Sequence, residues 1–165
     1  MNSEGERSRR LRLNLISVTV LISFLLYIFA LQHDCFFIDP KRPHAMPTFA
    51  IVVLGFFAVF GGEISWLANG CLVGAWMMMR WQHDGYGGIG FASVSLLLAL
   101  SFLFRVGGSI MTPDGGGVAK EIVGVGPGYW LWVLSIVVTL AGAVVVLLMN
   151  HSSKAASTIN AESDS

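Results

Sequence analysis

Charge is scarce in this chain. Only 12% of its 165 residues are charged, and the 10 basic and 10 acidic residues cancel. A soluble domain carries about a quarter charged residues. With a formal net charge of zero, a nucleic-acid partner is not implied. Cysteine is scarcer still: Cys35 and Cys71 are the only two, which gives neither zinc-site spacing nor a disulfide framework. Catalytic signatures are missing as well. No serine sits in a hydrolase elbow, and there is no HExxH or paired-carboxylate arrangement. The glycine-rich stretches Gly115-Gly116-Gly117 and Gly124-Val125-Gly126-Pro127-Gly128 are not phosphate cradles, because Lys120 has no GK[ST] context. The chain therefore reads as a non-enzyme, with no cofactor and no metal.

What it has is apolar sequence in long runs, 55% of all residues. The first run, Leu13 to Leu31, is about 19 residues without a charge, close to the ~20 that cross a bilayer core. Arg7, Arg9, Arg10 and Arg12 precede it, as in a signal peptide. A signal core is only ~7–15 residues long and ends at a small-residue cleavage site. This run ends in Ala30-Leu31-Gln32-His33-Asp34, so it reads as an uncleaved anchor. Residues 32–47 follow, with Pro40, Pro43 and Pro47 excluding a helix. The next block, Thr48 to Met79, would be well over 40 Å long as one helix, against a core of ~30 Å. Gly61-Gly62 is its natural break. Further spans are read at 89–105 and 129–149, separated by a mobile glycine-rich loop.

The expected fold is an all-α integral membrane protein with four transmembrane helices, about 13–31, 62–80, 89–105 and 129–149. Segment 48–61 lies at or dips into the outer leaflet. The alternative makes both halves of the broken block spans, giving five. Residues 1–12 form a basic cytoplasmic head, 13–149 a single transmembrane domain and 150–165 a disordered cytoplasmic tail. The arginine-rich head places the N-terminus inside, while the remaining basic residues tie between four and five spans. Tyr129, Trp130 and Trp132 open the last span and Trp81 closes the second, as interfacial aromatics do.

Glu63 is the most informative residue, because an acid beside an apolar block is costly unless it faces protein, water or a partner charge. It shares a helical face with Gly70 and Gly74, which form a GxxxG pattern suited to close helix packing. Read for function, Glu63 is a proton or cation site; read for structure, it is a boundary acid. Its expected partner is Arg105, at the same depth in either topology. The repeated tripeptides Gln32-His33-Asp34 and Gln82-His83-Asp84 read as polar helix ends rather than a metal site, since the four-span path separates them. His44 and His151 are given no role.

Two stretches, Glu63-Ile64-Ser65-Trp66-Leu67-Ala68-Asn69 and Gly128-Tyr129-Trp130-Leu131-Trp132-Val133-Leu134-Ser135, resemble patterns in small bacterial four-span inner-membrane proteins. That type includes immunity proteins against toxins delivered by type VI and similar secretion systems. The resemblance implies a non-catalytic protein of the inner membrane whose partners are the lipid bilayer and a toxin or membrane complex. The chain also resembles the small multidrug resistance transporters, four-span proteins with one essential membrane glutamate. It departs from them because its acid follows the first span instead of lying within it and its loops and tails are longer. The readings carried forward are immunity, a proton-coupled exporter centred on Glu63, and an accessory subunit of a membrane complex.

Overall fold

A computed structural model describes residues 3–38, 44–60, 64–82, 85–111 and 119–163. Helix α1 spans Ser3–Ala30, strand β1 Asp34–Ile38, strand β2 His44–Pro47 and helix α2 Thr48–Phe60. A 3₁₀ turn, Ile64–Trp66, leads into α3, Leu67–Gln82, and α4 covers Tyr86–Ser101. A second 3₁₀ turn, Phe102–Arg105, is followed by β3, Ser109–Met111, β4, Ala119–Val125, and α5, Pro127–Ser163. Three helical stretches are long and apolar enough to cross a membrane: Glu6–Ala30, Tyr86–Arg105 and Pro127–Ser152. Their outward faces carry Leu21, Leu25, Phe29, Val94, Leu97, Val137 and Leu148, all exposed. Apolar surface on that scale suits lipid, and water disfavours it.

The all-α expectation needs correction. The two loops meet in one antiparallel, four-stranded sheet of order β2-β1-β4-β3. Phe36 pairs with Val125 and Phe37 with Gly124 across β1–β4, and Phe37 faces Ala45 across β1–β2. The proline-rich loop cannot be helical, and extended backbone satisfies its N–H and C=O groups by pairing instead. Part of the glycine-rich loop is likewise strand: β4 alternates exposed Glu121, buried Ile122 and exposed Val123, the period-2 pattern of a half-buried strand. Helix α5 runs on through the tail to Ser163. Extending a helix already formed costs far less than nucleating one, and Lys154, Ala155 and Ala156 are good helix formers.

The sheet and the helices share one core. Cys35, Phe36, Ile38 and Ile122 from the strands are buried with Ala68, Ala99, Phe102, Tyr129, Trp132 and Ile136 from the helical part. The Phe36 and Phe102 rings lie 5.4 Å apart, and Phe102 and Tyr129 5.8 Å. Each large apolar side chain buried here stabilises the junction by about 1.5–3 kcal/mol. Polar ties add to it. Thr48 donates from its backbone N–H (3.1 Å) and its Oγ1 (2.8 Å) to the His33 carbonyl, fixing the start of α2 to the start of β1. The Gly126 N–H donates to the Cys35 carbonyl at 2.7 Å. Close approach explains the Gly-Pro-Gly run. Pro127 opens α5 at a position where its missing N–H is harmless. A Cβ at Gly128 would sit 2.8 Å from the carbonyl oxygens of both His33 and Asp34.

At the far end of the bundle a smaller core holds Ile16, Met79, Ala143 and Val146. The turn from α3 to α4 is made at Gly85, whose φ of 87° is left-handed. That conformation favours glycine, and a Cβ there would lie 2.8 Å from the Ala143 carbonyl oxygen.

Candidate functional site

Glu63 lies outside the described residues, as do Gly61, Gly62, His83 and Asp84. Arg105 ends the 3₁₀ turn after α4, exposed at the sheet end of the bundle. The two glycines of the GxxxG pattern have different surroundings. A Cβ at Gly74 would meet the Phe91 ring of α4 at 2.9 Å, whereas one at Gly70 would meet nothing within 4 Å. The α3–α4 contact therefore uses Gly74, and among the described residues nothing lies within 4 Å of a Cβ built at Gly70. Helices α3 and α4 are further tied by Ser95, whose Oγ donates to the Ala68 carbonyl at 2.7 Å.

Sequence reasoning missed a polar node in the middle of the bundle. Trp76 of α3 directs its indole N–H to Ser23 Oγ of α1 at 3.0 Å and Thr139 Oγ1 of α5 at 3.1 Å. Thr139 Oγ1 donates to Ser23 Oγ at 2.8 Å, and Ser23 Oγ donates on to the Ser135 carbonyl at 2.8 Å. Ser23, Ser135 and Thr139 are fully buried. The signal was present as isolated hydroxyls in apolar runs, the residues that bond between helices in lipid. Phe24 and Tyr27 of α1 place their rings edge-on to Trp76, at 5.8 and 6.0 Å. Side chains, more than backbone contact, thus bridge the seam between α1 and α3. Nearer the sheet, Tyr27 donates to Asn69 Oδ1 at 3.3 Å, and the buried Trp132 Nε1 has no partner among the described residues. The node contains only hydroxyl, indole and backbone groups. It can hold three helices in register and supplies no acid, base or charge.

The other built feature is the sheet. Exposed Ala45, Glu121 and Val123 and half-buried Phe37 lie on it. Beside it, Trp66 donates its indole N–H to the Val52 carbonyl of α2 at 2.9 Å, which anchors that short apolar helix next to the sheet. Cys35, on β1, is buried, and burial pushes its thiol from 9.0 up to about 12, partly offset by a hydrogen bond with Thr48. At neutral pH it is a protonated thiol and a poor nucleophile or metal ligand. Among the described residues no three His, Cys, Asp or Glu side chains gather as metal ligands would.

The chain matches no family model, no curated protein and no solved structure.

Proposed function

We propose that this chain is a four-span bacterial inner-membrane protein that displays its sheet on the outer side and works by binding. In this reading it is an immunity protein that intercepts a secreted antibacterial toxin acting at the inner membrane. The β1–β4 pairing carries the proposal. Two strands in one sheet lie on one side of the bilayer, so the chain between them crosses an even number of times. Helix α4 supplies one crossing. Helix α3 supplies the other: its 16 residues and the 3-residue turn before it together reach ~30 Å. Helix α2, with 13 residues, reaches only ~20 Å and lies in the outer leaflet. A five-span path would put β1 and β4 on opposite sides.

The arginine-rich start of α1 sets the orientation, with both termini in the cytoplasm. The sheet then faces the compartment from which a delivered toxin arrives. Because it shares a core with four helices, it is a preorganised platform, and preorganisation lowers the cost of binding. Immunity makes a specific prediction. A strain lacking this gene, grown in dense contact with its wild-type siblings, is outcompeted, and expressing the full chain in trans restores parity. Equal growth of the deletion strain in contact and apart would refute the immunity reading.

A further inference from the structure

Arg80 sits on α3 near the cytoplasmic end of the seam between α1 and α3. Its Nη1 donates to Ser17 Oγ of α1 at 3.2 Å, and both residues are exposed. A guanidinium has five donors, and this contact uses one. Arg10 is seven residues before Ser17 on the same face of α1, ~10 Å further along the axis, with Arg9 beside it; both are exposed. Helix α1 thus continues past the end of α3 and carries cations along the seam. In the other direction the seam is apolar. Val73 and Met77 precede Arg80 by seven and three residues on one face of α3. Phe24, seven residues after Ser17, shares its face of α1. All three are exposed, and Phe24 marks the seam by its contact with Trp76.

We infer that the α1–α3 seam binds an anionic phospholipid of the inner leaflet, its phosphate held by Arg80 with Arg9 and Arg10, and one acyl chain lying over Phe24, Val73 and Met77. Charge and depth both choose this occupant. The cations form a cluster at one end of an apolar strip, matching the arrangement of phosphate and tail in a lipid. Arginine suits phosphate through its fork of donors, and its aliphatic stem lies along the apolar strip while the head reaches the interface. Basic residues at the cytoplasmic boundary attract anionic headgroups. The inference needs the membrane orientation proposed above and is independent of what the sheet binds.

The test is native mass spectrometry of the full chain in detergent, titrated with phosphatidylglycerol and with phosphatidylcholine of the same acyl chains. Phosphatidylglycerol is expected to bind more tightly, by about fivefold for each arginine engaged. Arg80→Gln should lower that preference by about fivefold, and millimolar inorganic phosphate should not compete. Equal binding of both lipids to the wild-type chain overturns the inference. So does an undiminished preference in Arg80→Gln, or displacement of phosphatidylglycerol by inorganic phosphate. If Arg80→Gln does not fold, Arg10→Gln decides: a weakened preference supports the site and an unchanged one removes it. A negative result leaves the sheet display untouched, since that rests on the β1–β4 pairing.

Discussion

Gly142→Leu is expected to abolish accumulation of folded protein in the membrane. Gly142 is buried in α5, and a Cβ there would overlap the Thr19 side chain of α1. Thr19 is only 6% exposed and has nowhere to retreat. Overpacking a filled contact by even small groups costs about 1–3 kcal/mol, and leucine adds four carbons where none fits. The damage reaches further than the contact. Helices α1 and α5 also meet through Ser23 and Ser135, and through Arg12 and Asn150, so prying them apart breaks the polar node. Gly70→Ala is the matched control. It adds a methyl group in open space within a helix and should stabilise by up to about 1 kcal/mol through helix propensity. Membrane yield and thermal unfolding in detergent measure both. If Gly142→Leu unfolds at the wild-type temperature, α1 and α5 do not approach as described.

Trp76→Ala carries the second large effect. This side chain fills the seam between α1 and α3 and donates to hydroxyls on both α1 and α5. Trp76 is half-buried, so its removal is expected to cost about 2–3 kcal/mol, below the ~3–5 of a fully buried aromatic. Trp76→Phe separates shape from hydrogen bonding. It keeps a ring against Phe24 and Tyr27 and loses only the N–H. Hydrogen bonds between helices in a membrane average ~0.6 kcal/mol and reach ~1.7, so the phenylalanine variant should lose about 1 kcal/mol. Combining it with Ser23→Ala should cost less than the two single losses added, because both remove the same bond. Unfolding of the purified variants gives the values. A loss below about 1 kcal/mol for Trp76→Ala would mean that the seam is held by something else.

The helices long and apolar enough to cross a membrane were legible because they need only run length and the absence of charge, as at Leu13–Leu31. The sheet was not, for three reasons. Asp34–Ile38 is five residues long, too short for its alternation to stand out from a loop. Gly126-Pro127-Gly128 looked like flexible punctuation, although its glycines mark where α5 passes tightly against His33 and Asp34. Pairing between β1 and β4 joins residues more than eighty positions apart in the chain, and no local pattern reports that. Val123 and Glu121 flanking Ile122 did carry a period-2 signal, hidden in a glycine-rich stretch. The node was illegible for a different reason. Ser23, Ser135 and Thr139 are small enough to pass as filler in apolar runs, and only the geometry shows that they share Trp76. Glu63, the residue that stood out most in the sequence, lies outside the described residues.

The central claim is that β1–β2 and β3–β4 lie on the same, outer side of the membrane. Single cysteines at Ala45 on β2, Val123 on β4 and Ser152 on the extension of α5 test it directly, in a Cys71→Ala background with Cys35 left buried. All three positions are exposed. Intact cells are treated with a membrane-impermeant maleimide and compared with lysed cells. Ala45→Cys and Val123→Cys are both expected to label in intact cells, and Ser152→Cys only after lysis. Labelling of just one of the two strand positions in intact cells would place β1 and β4 on opposite sides and contradict the shared sheet and the four-span path together.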